Sequence, residues 1–297
     1  MAPRSSRSNN SARSDRPEPE YSNPPVAEGI NVSDKSPLRT FFINLAITTA
    51  GLIVLLGALN YTASFFARFV PFSWERSLVP ESLIAGAPSE EHAERQNALN
   101  RLGARVAAAM ELPEGMDVRI HYSPSSVMNA YAMLGGHIHI YQGLVDLMES
   151  EDELAMVIAH EMGHIKHRDA LKGLLRAAGL MLLFTGLEDP GAYVQSVTSV
   201  GMATYSRGQE RDADAAAVRA LGKLYGHVGG AEAFFRTMAS KMEGRDADVD
   251  KARMLPSILS THPDTLDRIA GVKEEAEKRG IPLAGELTPL PEVFVGK

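Results

Sequence analysis

The segment His160-Glu161-Met162-Gly163-His164 has residue types at a spacing that can do chemistry. Four residues are slightly more than one helical turn, so on a helix the two imidazoles project from one face about a turn apart and can share a zinc ion. Glu161 sits beside the first imidazole, where its carboxylate can reach a water in the metal's open position without filling that position. In a chain with His 9 in 297 residues, a chance match to this pattern is expected on the order of one or two per cent of the time. On this segment alone, an amphipathic helix with histidines at its polar edge therefore stays open.

A second segment, Tyr205 to Val218, also reads as a helix, and it sets Glu210 and Asp214 four apart on one face. Its Ala and Val positions allow close approach to a neighbouring helix. A zinc hydrolase wants three protein ligands and one open position, and His160, His164 and Glu210 complete a two-His, one-Glu set. Asp214 can accept the remaining ring N–H of a ligand histidine and fix its orientation. Standing alone, the same segment is equally an acidic, solvated helix face. Cys 0 excludes disulfides, thiolate nucleophiles and cysteine-held metals, so any metal is held by His and carboxylate. His167 is left out of the ligand set, because a fourth ligand would close the position that water needs.

Elements that could position these groups are legible around them. Ser150 and Glu153 form a capping box ahead of Leu154, Val157 and Ile158, predicting a helix from about Glu151 through at least His164. Ser89 followed by Glu90 and Glu91 predicts a helix start, with Leu99, Leu102, Val106 and Met110 on its buried face and an end before Pro113. Asp117 to Tyr122 and Gly136 to Tyr141 alternate polar and apolar residues and read as short strands, the second after the turn signal Gly135-Gly136. His137 and His139 alternate with Ile138 and Ile140, so they are expected to face solvent on an edge strand. Such an edge, Gly136 to Ile140, would bind an extended substrate through its backbone. Leu171 to Leu187 reads as a buried or interfacial helix, too short in its uncharged part to span a bilayer, with Glu188-Asp189-Pro190-Gly191 as the following turn. Arg245 to Lys251 reads as a surface loop.

His160-Glu161-x-x-His164 with Glu210-x-x-Ala213-Asp214 resembles the membrane-associated zinc metallopeptidases that include the CAAX prenyl protease, the HtpX-type proteases and their periplasmic relatives. Asn129-Ala130-Tyr131-Ala132 leading through Gly135-Gly136-His137-Ile138 to Gly143-Leu144 resembles that family's segment before the active-site helix. Ser260-Thr261-His262-Pro263 followed by Arg268-Ile269 resembles its C-terminal motif. The resemblance runs from about Pro71 to Ile269 with its blocks in the family's order. It implies a zincin-type fold and one zinc per chain. It also puts His262 at the active-site cleft, where an imidazole either stabilises the oxyanion or hydrogen-bonds the cleft wall, and brings Asn129 to the substrate side. The chain departs from the multi-spanning members, which favours the single-span or periplasmic branch.

The composition bounds the rest. A net charge of -7 and a mean hydropathy of -0.12 describe a globular chain and argue against nucleic acid as a partner. Residues 1 to about 37, rich in Ser, Asn, Pro and Arg, are expected to be disordered. Phe41 to Ala67 carries no charge and is expected to form one transmembrane helix, a cleaved signal peptide being the alternative. Lys35 and Arg39 balance Arg68 and Arg76. Arg4, Arg7, Arg13 and Arg16 then tip the N-terminus inward and the domain at 71–297 to the outer, periplasmic side, an organelle inner membrane ranking second.

The fold class expected is α+β, a mainly helical metallopeptidase domain with a small sheet behind one transmembrane helix. The function expected is a membrane-anchored zinc endopeptidase that cuts unfolded or misfolded proteins in envelope quality control. Its rivals are a membrane-anchored chaperone or assembly factor using the same groove and, more distantly, a hydrolase of non-peptide amides. Oligomeric state is not legible.

Overall fold

The computed structural model describes residues 22–23, 36–79, 84, 89–184, 205–243, 258, 262 and 265–295. The expected N-terminal arm falls almost wholly outside these residues, and the turn at Glu188–Gly191 and the loop at 245–251 fall entirely outside them. The chain divides into two compact units, Met1–Leu52 and Ile53–Lys297.

Helix α1, Pro37–Ala67, crosses that division, beginning four residues before the predicted span. It is the one helix among the described residues that is long and apolar enough to cross a membrane, with a mean hydropathy of 2.2 over its best window. At 1.5 Å per residue its 31 residues reach about 46 Å, more than the roughly 30 Å of a hydrocarbon core. A short helix, α2 (Phe72–Ser77), follows the turn that ends α1.

The second unit is built around helix α5, Glu151–Lys166, in which every residue from Asp152 to Ile165 is buried. A helix covered on all sides needs neighbours on every face. They are α3 (Ala93–Met110), α7 (Arg207–Tyr225), α8 (Gly229–Glu243) and a sheet. The capping box read from the sequence is present: Ser150 Oγ accepts from Glu153 N–H, and the Glu153 carboxylate accepts from Ser150 N–H. In α3, Leu99, Leu102, Val106 and Met110 are buried as their spacing predicts. Short helix α4 (Gln142–Val145) and helices α6 (Asp169–Phe184), α9 (Thr265–Arg279) and α10 (Glu292–Val295) complete the described α-helices.

The sheet corrects the strand reading. Its order is β1 (Arg119–Ser123), β3 (His137–Tyr141), β2 (Ala130–Ala132), with β1 parallel and β2 antiparallel to β3. The segment from Gly136 to Ile140 is therefore central, and neither of its edges is free. Ile120, Tyr122, Ala130, Ala132, Ile138 and Ile140 share the face turned to the helical core. His137 and His139, expected in solvent, are only 2% and 6% exposed. His121 stacks on both, with ring centroids 5.0 and 4.9 Å away, and Tyr131 stacks on His139 at 5.0 Å. Gly135 and Gly136 adopt φ of +73° and +83°, which makes the tight entry to β3 a position for glycine.

Candidate metal centre

Two closely packed helices bring the chemistry together. α5 and α7 approach so closely that a Cβ on Gly163 would lie 2.8 Å from Ala213 Cα, so Gly163 and the alanines of α7 set the spacing between the helices. α7 starts from a second capping box, Ser206 with Gln209, not noticed in the sequence, which fixes the first turn immediately before Glu210. His160, His164, Glu210 and His262 each offer one ligand atom, all within 4.8 Å of one another, and all four residues are buried. Of the eight sequence-proposed site residues outside β3, these four and Glu161 and Asp214 meet here, while Asn129 and Gly136 flank the sheet.

His262 reaches the cluster from a separate segment. Its N–H donates to Ile258 O, and Ile258 N–H donates to Met128 O just ahead of β2. His262 Nδ1 lies 3.0 Å from Glu210 Oε1 and 3.2 Å from His160 Nε2. The expected three-ligand set thus has a fourth nitrogen among its atoms. His167, half-buried, is not part of the group.

A carboxylate stands behind each histidine of α5. Asp214 Oδ1 lies 2.8 Å from His160 Nδ1, as the spacing suggested, and Asp169 Oδ2 lies 3.0 Å from His164 Nδ1. Arg268 grips Asp214 with Nε at 2.8 Å and Nη2 at 2.7 Å, and its Nη1 lies 3.1 Å from Glu210 Oε2. Tyr205 stacks on the His164 ring at 3.8 Å between centroids. Asp169, Tyr205 and a role for Arg268 were missed from sequence. Arg268 lay within a quoted motif, whereas Asp169 stands beyond the end of α5, where helical spacing has no reach.

The electrostatics follow from this crowding. Burial pushes the Glu210 carboxylate up, but the three surrounding imidazoles outweigh it and hold the group far below its ordinary range. Burial and Arg268 push His160 down, and Asp214 and Glu210 overcome both, leaving it raised to about 9. Burial keeps Asp214 from falling further than about 2 beside Arg268 and His160. His262 is lowered by burial despite Glu161 and Glu210. Both Glu161 oxygens and His262 Nε2 are buried without a hydrogen-bond partner, and Glu161 Oε1 lies 3.5 Å from that nitrogen. Such orphaned groups are costly unless something else uses them. Imidazoles plus a carboxylate, with His160, His164 and Glu210 oriented from behind, are the donor chemistry of a zinc-type cation.

Beside the cluster, a narrow pocket with little free space is lined by Met156, Val157, Phe234, Phe235, Met238 and Ile258, with Glu161 and His262 at its polar end.

Comparison with known proteins agrees with this geometry. The profile of Peptidase family M48 matches residues 93–276. Metalloprotease LoiP of Escherichia coli is 26% identical over 210 residues, covering 68% of this chain and 77% of LoiP. The beta-barrel assembly-enhancing protease of Escherichia coli is 25% identical over 171 residues, 51% of this chain, and the chain spans only 33% of that relative's length. A protease HtpX homolog of Pyrococcus furiosus is 32% identical over 115 residues, 37% of each chain.

Proposed function

The chain belongs to peptidase family M48, a metallopeptidase family acting on peptides or proteins, and from that membership we propose a zinc-dependent endopeptidase, anchored by α1, that hydrolyses unfolded or misfolded proteins of the cell envelope. The observation that carries the reading is the convergence of His160, His164, Glu210 and His262 beside a Glu161 carboxylate with both oxygens unpartnered. In this reading His160, His164 and Glu210 hold the metal, one per chain. A bound zinc ion would act as a Lewis acid on the scissile carbonyl and lower the pKa of water.

Glu161 serves as general base: its carboxylate takes a proton from the attacking water and returns it to the leaving amine. Asp214 and Asp169 keep the ring nitrogens of His160 and His164 turned toward the metal, and Arg268 keeps Asp214 ionised and in place. His262 adds a fourth donor to the cluster, which in this reading is a closed arrangement that opens when its imidazole withdraws. Once displaced, it is placed to donate to the developing oxyanion.

The substrate-binding edge moves from β3 to β2. Met133 N–H donates to His137 O and Tyr141 N–H to Asn129 O, whereas Asn129 N–H donates to Val127 O; the alternation directs the backbone groups of Ala130 and Ala132 away from β3, to a side of β2 where both residues are buried. An extended chain would pair with Ala130 and Ala132, without strict sequence choice. The arginines before α1 support an outer, periplasmic location for the domain, and the relatives named for beta-barrel assembly support the quality-control setting.

The test is cleavage of casein by the full-length chain in detergent, with elemental analysis. Glu161→Gln should keep about one zinc per chain and lose hydrolysis by several orders of magnitude, whereas His160→Ala and Glu210→Ala should lose most of the metal. Full zinc in Glu210→Ala would overturn the ligand set. Cellular function preserved in a cleavage-dead Glu161→Gln would replace the peptidase by a chaperone.

A further inference from the structure

The half of α1 that belongs to the second unit has one covered row. Leu55, Leu59, Ala63 and Ala67 are four apart, hence on one face, and are partly or fully buried, while Ile53, Val54, Leu56, Tyr61 and Phe66 around them are 48–71% exposed. The covering element is α6. Leu171 and Leu174 pack with Ala67, Arg176 Nη1 donates to Asn60 Oδ1 at 2.7 Å, and Gly179 lies so near Leu59 that a Cβ there would come within 2.9 Å of its Cδ2. As α6 numbers rise, their α1 partners fall, so the helices run antiparallel, with small residues (Ala63, Ala67, Gly179) at the crossing, as at helix contacts in lipid.

The polar contact marks a level. On α1 everything from Phe41 to Ala67 is uncharged, and within that run Asn60 makes the polar contact with α6. On α6, Ala177 to Phe184 likewise carries no charge. On the other side of the Asn60–Arg176 bond, Phe65, Phe66 and Phe69 cluster, the Arg68 guanidinium lies 4.4 Å over the Phe65 ring, and Trp74 of α2 is 63% exposed. Tryptophan, tyrosine and arginine are the side chains that collect at a bilayer surface, and Tyr61, which stacks on Phe65, Arg68 and Trp74 supply them here.

We propose that α6 beyond Arg176 enters the same leaflet that α1 crosses, and that the aromatic collar at Phe65–Trp74 rests on the lipid headgroups. The inference rests on α1 spanning the bilayer. Ala177–Phe184 would reach about 12 Å, close to the depth of one leaflet, so α6 inserts without spanning. The lipid is the partner because this surface continues that of α1. Two helices fix the domain where one would let it swivel. Along α6, Asp169 stands about 10 Å from Arg176, which holds the metal centre close to the headgroups, where chains leaving or entering the bilayer pass.

The chain has no cysteine and a single tryptophan, Trp74, so both kinds of probe are clean. Full-length Leu56→Cys, Ala178→Cys, Leu180→Cys and Arg101→Cys, each carrying an environment-sensitive fluorophore, would be reconstituted into phosphatidylcholine–phosphatidylglycerol vesicles. Labels at 178 and 180 should be quenched by mid-chain nitroxide lipids to within about twofold of the label at 56 and be shielded from aqueous iodide, with 101 behaving oppositely. Trp74 should be quenched more by headgroup nitroxides than by mid-chain ones. Lipid quenching at 56 with iodide access at 178 and 180 would overturn the insertion of α6 while leaving α1 in place. Shielding of 178 and 180 from both quenchers would assign the surface to protein instead and equally overturn it. Absence of lipid quenching at 56 would remove the spanning of α1, a different failure.

Discussion

Asp169 Oδ2 lies 3.0 Å from His164 Nδ1, so the first residue of α6 orients the second histidine of α5 across the turn between the two helices. That turn is held at Arg168, a non-glycine residue at φ +57°, whose guanidinium donates to Glu75 and to the carbonyls of Ala67 and Val70. Asp169→Asn should leave the fold intact and weaken metal affinity by about 10–100-fold, as losses behind a ligand histidine do. Competition with a metallochromic chelator measures it, and an unchanged affinity would make the Asp169 contact merely structural.

His262 has an outcome of its own. If its imidazole closes the site, His262→Ala should retain metal on the three remaining donors and raise casein turnover by about two- to tenfold. Retained metal with turnover lowered by about 100-fold would instead give the residue the oxyanion role as its main work.

The stacked imidazoles on the outer face of the sheet predict an acid-sensitive fold. Burial, with His121, Arg119 and Arg76 nearby, lowers His137 to about 4, and burial with His121 and His137 lowers His139 to about 4. Tyr131 covers the other side of His139 and brings no opposing negative charge at these pH values. In the unfolded chain each ring titrates near 6.5, so the unfolded state binds protons first as pH falls. Stability should therefore decline from about pH 6.5 to pH 4, with no further loss from these rings below that. The decline should be at most on the order of 3 kcal/mol for each ring. Denaturant melts of the detergent-solubilised chain and of His137→Gln/His139→Gln should diverge across that window, the variant losing less.

Ala132→Pro tests the outer edge of β2. The N–H it removes is not spent on β3, so sheet and metal should survive while cleavage of long unfolded substrates falls several-fold. Undiminished cleavage by a folded, metal-loaded variant would exclude pairing at this edge.

The parts of the site that were legible are those written in helical spacing. His160 with His164 and Glu210 with Asp214 stand one turn apart, and a turn's geometry is local, so sequence suffices. The strands fared less well. Three residues, Ala130–Ala132, cannot declare an alternation, and without β2 the central strand looked like an edge and its buried histidines looked solvated. Arg268 bonding Asp214 across 54 positions, and His262 reaching His160 across 102, are contacts that no local pattern encodes.

Those separations also order events during synthesis. His160 and His164 leave the ribosome together as an incomplete pair. Glu210 follows after some fifty residues, while His262 and the Arg268 that steadies Asp214 come later still. On the proposed reading, a growing chain thus carries no finished cutting centre until nearly all of its described helices exist, and it would not turn on its own unfolded segments while they are still emerging.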